Sequence, residues 1–231
     1  MPVFYRQMGL ATLKPETRIF GKNWRLSYGG EVMAKPLKIG LTGGLGAGKS
    51  LVLKFLEEKG IPILQTDHLG HEILKEKKFS RVLTRQFGKG ILDPQGIIER
   101  KRLAAVVFNR PGERKKLNGI LHPEIRKRVS RWIAQQPPRS SPYNMVVVEV
   151  PLLFERGYNR VFDGVLCVSA PGGQRRQRLL KRGWDMSEIR LREKAQWSQA
   201  RKNSKADWII FNQSGRKDLK YAVNRWLKRF E

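Results

Sequence analysis

A glycine-rich segment at residues 43–50, GGLGAGKS, has the residue types and spacing of a loop that binds phosphate groups. Glycines let the backbone aim successive N–H groups inward, which forms a nest for anions at the N-terminus of the following helix. In this pattern Lys49 reaches the β- and γ-phosphates of a nucleoside triphosphate, and the hydroxyl of Ser50 binds Mg²⁺. The expected ATP-binding positions of the loop are Gly44, Gly46, Ala47, Gly48, Lys49, Ser50 and Leu51.

Two carboxylates stand at the ends of predicted strands. Asp67 follows the apolar run at 61–65, and Glu149 lies near the end of the run at 145–150. Ligands of open parallel sheets bind at the carboxyl edge of the strands, so both side chains are expected there. Asp67 is the candidate base for the proton of an acceptor hydroxyl; capping the next helix is an alternative role, compatible with the first. Glu149 is expected to support Mg²⁺ through water.

Apolar runs alternate with amphipathic stretches from residue 35 onward, which predicts an α/β fold with helices on both sides of a mostly parallel, five-stranded sheet. The predicted strands are 37–42, 61–65, 145–150, 164–168 and 207–211, and the helical patterns cover 49–59, several parts of 68–133, 175–202 and 216–230. With the phosphate loop, this order predicts a three-layer P-loop NTPase fold. The segment between the second and third strands is much longer than one crossover helix needs, so it predicts a mostly helical insert.

The composition bounds the function classes. The chain has 231 residues, with 47 Lys and Arg against 20 Asp and Glu, and a formal net charge of +27 at pH 7. Such an excess favours contact with phosphate-bearing molecules, although a generally basic surface would also account for it. One cysteine excludes an internal disulfide, and no apolar run is long enough to cross a membrane. We therefore expect a cytoplasmic protein with no membrane partner, and residues 1–34, which have no sustained period, as an N-terminal extension outside the fold.

From residue 37 to the end, the chain resembles the dephospho-CoA kinase family. The resemblance rests on IGLTGGLGAGKS (39–50), TDHLGHEIL (66–74), FGKGILDPQGIIERKRLA (87–104), VVFNRPGERKKLNGILHPEIR (106–126), VEVPLLFERG (148–157), and RLLKR (178–182) through Gln196 to ADWIIFN (206–212). The phosphate loop alone is common to many families, whereas the ordered set is specific. Members transfer the γ-phosphate of ATP to the ribose 3′-hydroxyl of dephospho-CoA, which gives coenzyme A and ADP in the last step of coenzyme A synthesis.

The resemblance implies a kinase domain at 35–231, with a substrate-binding insert at about 67–133 and a helical lid at about 175–205. The implied catalytic residues are Asp67, Lys49 and Arg182, and Arg178 joins the ATP site. The implied acceptor-binding residues are Asp67, His122, Arg126, Leu152, Arg192 and Gln196, and the implied metal-binding residues are Ser50 and Glu149. His122 is also open to a structural role, as an N-cap contact ahead of Pro123.

Three positions depart from the family pattern. Gln65 and Glu149 stand where aspartate is usual, and Leu51 stands where threonine is usual. A glutamate still binds a hydrated metal ion, whereas Gln65 removes one carboxylate from the acceptor side. We expect an active enzyme because the loop lysine and Asp67 are retained.

Two other classes of function stay open from the residues alone. One is a different P-loop kinase that acts on a nucleoside or nucleotide, against which the HPEIR segment at 122–126 and PLLFE at 151–155 weigh. The other is a nucleic-acid-binding P-loop ATPase, favoured only by the net charge; it would bind DNA or RNA with steep salt dependence. Under the leading interpretation the partners are ATP and dephospho-CoA, with no specific nucleic acid, and the chain is a monomer or a weak homo-oligomer.

Overall fold

The computed structural model describes residues 35–108, 110–138 and 142–231, and the predicted extension at 1–34 lies outside the described residues. The strands are β1 (Leu37–Gly43), β2 (Ile63–Gln65), β3 (Met145–Glu149), β4 (Gly164–Ser169) and β5 (Trp208–Phe211). The helices are α1 (Lys49–Glu57), α2 (Thr66–Lys75), α3 (Lys77–Phe87), α4 (Arg100–Phe108), α5 (Pro111–Ala134), α6 (Gly172–Leu180), α7 (Met186–Lys194), α8 (Gln199–Lys205) and α9 (Arg216–Leu227). In these ranges no helix has the length and apolarity needed to cross a lipid bilayer.

The strands form one sheet in the order β2-β3-β1-β4-β5. β1 pairs in parallel with β3 on one side, where Leu37 lies opposite Met145, and with β4 on the other, where Ile39 lies opposite Gly164. β4 pairs in parallel with β5. All residues of β3 and β4 are buried, as in parallel strands covered on both faces. The predicted five-stranded, mostly parallel sheet is confirmed, and the strand that leads into the phosphate loop lies at its centre.

Helices cover both faces of this sheet, as the three-layer prediction requires. On one face, α1 and α9 enclose a hydrophobic core with buried members that include Ile39, Leu41, Val52, Phe55, Leu56, Val147, Leu166, Val168, Ile210, Val223 and Trp226. Trp208, Trp226 and Phe230 extend this core with edge contacts, their ring centroids 5.1 to 5.8 Å apart. Side chains alternate along a strand, so Cys167 faces the other side, where it contacts Asn203 of α8 at 3.3 Å.

Residues 65–134, which contain α2 to α5, form a compact unit of their own, inserted between β2 and β3 of the unit formed by 35–64 and 135–231. The core of the insert consists of Leu74, Leu83, Ile91, Ile98, Leu103 and Val107. Arg128 of α5 adds ion pairs at 2.6 Å to Glu76 and 2.9 Å to Glu124. The insert therefore has both a core and ion pairs inside its own boundaries.

Two local predictions differ from the structure. The helical pattern at 175–202 is divided into α6, α7 and α8, because Gly183 has a φ of 80° after the end of α6 and Asp185 caps the start of α7. The N-cap role considered for His122 is wrong, because α5 continues through Pro123 to Ala134. The proline removes only one main-chain hydrogen bond, and tertiary packing of a long helix offsets that loss.

Candidate active site

The phosphate loop leaves the carboxyl end of β1, and α1 begins at Lys49. Gly48 precedes the helix in a left-handed conformation, with φ 99° and ψ 24°. This conformation turns the chain so that the N-terminus of α1 follows the loop directly, and the free N–H groups and dipole of a helix N-terminus favour an anion. β3 and β4, which are consecutive strands in the chain, lie on opposite sides of β1. The end of a strand at such a position is the usual ligand-binding place in open parallel sheets, and the phosphate loop lies there.

Lys49 and Glu149, predicted to bind phosphate and to support the metal ion, are neighbours. The Nζ atom of Lys49 lies 3.8 Å from Oε1 of Glu149, and it donates to the main-chain oxygen of Gly43 at 3.4 Å. The two side chains are only 13% and 11% exposed. The carboxylate thus holds the ammonium group beside the loop, and the next residue, Ser50, is exposed at the start of α1.

Residues from the C-terminal part of the chain pack tightly against the loop. A Cβ atom on Gly48 would lie 2.1 Å from Nδ2 of Asn212, and one on Gly46 would lie 2.6 Å from the main-chain oxygen of Arg175. Both glycines also have positive φ values, 99° and 73°. The glycines are therefore needed for close packing as well as for backbone conformation.

We expect Gly48→Ala to raise the KM for ATP at least tenfold, because the new methyl group displaces Asn212, whose Nδ2 donates to the main-chain oxygen of Ala47 at 2.9 Å. The left-handed backbone adds a cost of about 1–3 kcal/mol. Steady-state kinetics with ATP as the varied substrate measures the change. Gly173→Ala is the matched control, since no atom lies within 4 Å of the place that its methyl group would take and its φ is negative. An ATP KM within twofold of wild type in Gly48→Ala would contradict this account.

Arg178, predicted to bind ATP, holds the main chain of the loop. Its Nη1 atom donates to the carbonyl oxygens of Gly46 at 3.4 Å and Ala47 at 3.5 Å, and Nη2 donates to the carbonyl oxygen of Asn212 at 3.0 Å. Burial and the charge of Arg182 lower the pKa of Arg178. The guanidinium therefore ties the loop to the segment after β5.

Two further side chains, for which the sequence pattern predicts no role, also contact the loop. Arg175 of α6 donates to the main-chain oxygen of Leu45 at 3.0 Å and forms an ion pair with Glu193 of α7 at 3.1 Å. Gln199 of α8 accepts a hydrogen bond from the N–H of Gly44 at 2.9 Å. Neither residue stands out in a segment rich in charged and polar residues, so their sequence carries no separate signal.

A buried ion pair that the sequence did not predict lies under the same region. Lys202 of α8 is completely buried, with Nζ 3.1 Å from Oε1 of Glu155 and 2.5 Å from the main-chain oxygen of Pro151. Oε1 of Glu155 also accepts from the main-chain N–H of Trp197 at 2.8 Å. Burial lowers the pKa of Lys202, and Glu155 opposes that shift. Gln196, predicted to bind the acceptor, lies next to the pair, with Oε1 3.5 Å from Nζ of Lys202.

The other predicted residues of the lid lie further along the surface. Arg182 is exposed, and Arg192 is bound to Glu188 at 2.8 Å with its guanidinium 4.5 Å from the ring centroid of Trp184. Leu152, after β3, is half-buried. Within the described ranges, neither arginine makes a hydrogen bond or ion pair with the phosphate loop.

Three predicted residues lie in the insert. Asp67 is exposed in the first turn of α2, whose N-cap is Gln65, so the alternative in which Asp67 caps the helix is wrong. A carboxylate in the first turn is favoured by the helix dipole. His122 and Arg126 are four residues apart on α5 and therefore share one face of that helix, which packs against α2.

Comparisons with known proteins identify the family of this chain. A family model described as dephospho-CoA kinase matches residues 37–218. A dephospho-CoA kinase of Geobacillus kaustophilus is 36% identical over 197 residues, which cover 84% of this chain and 97% of that protein. One from Helicobacter pylori is 36% identical over 193 residues, which cover 82% and 95%.

Solved structures share the fold of this chain. A crystal structure of a Thermus thermophilus protein, 31% identical, superposes with a TM-score of 0.74 over 86% of this chain and 100% of that one. A dephospho-CoA kinase from Campylobacter jejuni, 22% identical, shares the fold with a TM-score of 0.60 over 86% and 99%. Because the family model spans most of the chain and the relatives are 36% identical over more than 80% of it, the chain belongs to the dephospho-CoA kinase family.

Proposed function

We propose that Lys49 and the N-terminus of α1 hold the β- and γ-phosphates of ATP while Asp67 accepts the proton of the ribose 3′-hydroxyl of dephospho-CoA, in the reaction of the family. The observation that carries the proposal is the buried contact of Lys49 with Glu149 beside the phosphate loop. From this position the ammonium group of Lys49 can exchange the carboxylate of Glu149 for a phosphate oxygen while it stays beside the loop. A positive charge beside the transferred phosphoryl group lowers the barrier, because negative charge spreads over the oxygens of that group during transfer.

Mg²⁺ fits the oxygen donors of this site. Glu149 offers a carboxylate on a side chain that is only 11% exposed, and Ser50 offers an exposed hydroxyl at the start of α1. Mg²⁺ usually takes one or two protein oxygens and completes its shell with water and substrate phosphates, so these two side chains are sufficient protein ligands. When bound, the ion would neutralise charge on the phosphates, and we assign Ser50 and Glu149 to hold it.

The nucleoside end of ATP has a candidate place beside α6. A cavity of about 310 Å³ is lined by Gln174, Gln177, Arg178, Lys181 and Gln213. Arg178 connects this cavity to the phosphate loop, since the same side chain holds the carbonyl oxygens of Gly46 and Ala47. A planar guanidinium packs well on an aromatic base, and amide side chains can pair with its edges. These features support a role of Arg178 in binding the adenosine part of ATP.

Asp67 is suited to the role of base by its place and exposure. It is the second residue of α2, directly after β2, and its carboxylate is accessible to an acceptor. A positioned general base contributes typically about 10²–10⁴-fold to the rate. We assign acceptor binding to the insert at about 67–133, where His122 and Arg126 share a face of α5.

The lid residues Arg182, Arg192 and Gln196, together with Leu152, complete the proposed site. Arg192 must leave Glu188 to reach a substrate, and the surface position of that ion pair makes the exchange inexpensive. Arg182 is exposed and raises the local positive charge, as its effect on the pKa of Arg178 indicates. Closure of these cations over ATP would exclude water from the transfer step. We further propose that the protein is a monomer or weak homo-oligomer and that it is located in the cytoplasm. The free thiol of the buried Cys167 supports the second proposal, because the cytoplasm keeps thiols reduced.

The test is ATP consumption with dephospho-CoA, adenosine or AMP as acceptor, with Mg²⁺ or with excess EDTA. We expect turnover only with dephospho-CoA and Mg²⁺, and a loss of about a hundredfold or more in Lys49→Ala, since removal of one donor to the transition state costs that much in comparable sites. Lys54→Ala, an exposed lysine on the same helix, is the control and should match wild type. Preferential phosphorylation of adenosine or AMP, or full activity of Lys49→Ala, would refute the proposal.

A further inference from the structure

A second cavity lies wholly within the insert. It has a volume of about 260 Å³ and is lined by His71, Leu74, Lys75, Ile97, Ile98 and Arg100. Three of these residues, His71, Lys75 and Arg100, have basic side chains, and the other three are aliphatic, among which Ile97 is 45% exposed. A cavity of this composition suits a ligand that carries both anionic and apolar parts.

Two basic residues of this cavity, Lys75 and Arg100, have no counterions in the described part of the insert. The side chains of Lys75 and Arg100 form no ion pair or hydrogen bond there, whereas the nearby Arg102 is paired with Glu99 at 2.5 Å. Burial and the charge of Arg100 lower the pKa of His71, and Asp67 opposes that effect. The cavity therefore holds an excess of positive charge that an anionic ligand would neutralise.

The cavity and the proposed base lie along one face of α2. Asp67, His71 and Lys75 are spaced four residues apart, so their side chains form a row along the helix. Each step of four residues rises about 6 Å, and Glu72 points about 100° away from His71. A ligand bound along this row meets a carboxylate first and basic side chains one and two turns later.

The acceptor has groups in the matching order. In dephospho-CoA the reacting hydroxyl is on C3′ of a ribose, and a diphosphate is attached through C5′ of the same ribose. An acceptor whose 3′-hydroxyl contacts Asp67 therefore places its diphosphate close by, within reach of a row of side chains that continues along the helix. The diphosphate is followed by a less polar chain, for which the exposed Ile97 offers an apolar contact beside the buried Leu74 and Ile98.

We propose that His71, Lys75 and Arg100 form the subsite for the 5′-diphosphate of the acceptor. The proposal rests on the assignment of Asp67 as the base for the 3′-hydroxyl. Lysine and arginine supply charge-assisted hydrogen bonds to diphosphate oxygens, and the imidazole supplies a further N–H donor. Binding of the diphosphate orients the ribose, so the three residues are positioning residues that raise acceptor affinity without touching the transferred phosphate.

Steady-state kinetics and calorimetric binding of dephospho-CoA test the subsite in Lys75→Met, Arg100→Met and the double variant. We expect the KM and Kd for dephospho-CoA to rise about tenfold in each single variant and at least fiftyfold in the double variant, because charge-assisted contacts are lost. The KM for ATP should stay within twofold, which separates the acceptor diphosphate from the phosphates of ATP. Lys75→Arg and Arg100→Lys, which keep the charge, should recover to within threefold of wild type.

Lys101→Met is the matched control, because Lys101 is exposed beside Arg100 but does not line the cavity. A dephospho-CoA KM within twofold of wild type in the double variant would overturn the subsite. So would an equal rise in Lys101→Met, which would indicate a general charge effect, or a parallel rise in the KM for ATP. Failure of the base assignment is distinguishable, since it appears as retained turnover in Asp67→Asn while binding by the cavity variants is measured separately.

Discussion

Replacement of Asp67 by asparagine is expected to lower kcat at least a hundredfold while the KM for ATP stays within threefold of wild type. Asparagine keeps the size and hydrogen-bonding capacity of the side chain but cannot accept the hydroxyl proton. General bases contribute about 10²–10⁴-fold, so the loss should fall in that range. Single-turnover phosphorylation of dephospho-CoA at saturating ATP measures the chemical step without product release.

A matched variant on the same helix isolates the role of Asp67. Glu72→Gln removes the same charge from another exposed carboxylate of α2 and should leave kcat within twofold of wild type. Asp67→Asn should also keep its thermal stability, because the side chain is exposed. A kcat above one tenth of wild type in Asp67→Asn would mean that another group accepts the proton, and Asp67 would then be at most a helix-stabilising residue of the first turn.

Removal of the buried ammonium group of Lys202 is expected to have the largest effect on stability. Lys202→Met keeps the length and apolar volume of the side chain but leaves the carboxylate of Glu155, itself only 9% exposed, without its counterion. Breaking a buried ion pair in this way costs about 3–5 kcal/mol. The carbonyl oxygen of Pro151 also loses a donor. Urea unfolding followed by circular dichroism at pH 7 should show a fall in the free energy of unfolding of that size.

The pair can be separated from simple loss of a buried side chain by a double-mutant cycle. Glu155→Gln should also destabilise the fold, whereas Lys202→Met with Glu155→Gln should cost less than the sum of the single changes, since the double variant leaves no lone buried charge. Lys205→Met, at an exposed lysine of the same helix, is the control and should change stability by less than about 0.5 kcal/mol. Additive effects of the two single changes would show that the charges act independently.

The lysines and arginines of this chain serve different roles although they look alike in sequence. Lys202 is buried and paired, Arg175 and Arg178 hold the main chain of the phosphate loop, and Lys75 and Arg100 line a cavity without counterions in the described part of the insert. The net charge of +27 is therefore a sum over groups with separate functions. Many others are exposed, where charge contributes little to stability.

Local sequence determined the strands, the phosphate loop and the family. The aliphatic runs at 37–42, 145–150 and 164–168 form mostly or wholly buried strands, and GGLGAGKS between a strand and a helix is the pattern of a phosphate loop. Both signals depend on neighbours in the chain, so they need no tertiary information. The local sequence predicted the ends of the helices less well. α5 continues through Pro123, and three helices occupy the predicted lid. At such positions the local conformations are nearly equal in energy, so packing decides between them.

Only the tertiary structure decided which polar side chains support the site. Lys202 lies far from Glu155 in sequence, and Gln199 lies far from Gly44, yet each pair is in contact. Whether a lysine is buried and paired or exposed depends on the elements that pack around it, and residue type and spacing do not carry that information. The sequence by itself therefore determined the chemistry of the phosphate loop and the fold around it, whereas the supporting contacts were decided by packing, which joins residues distant along the chain.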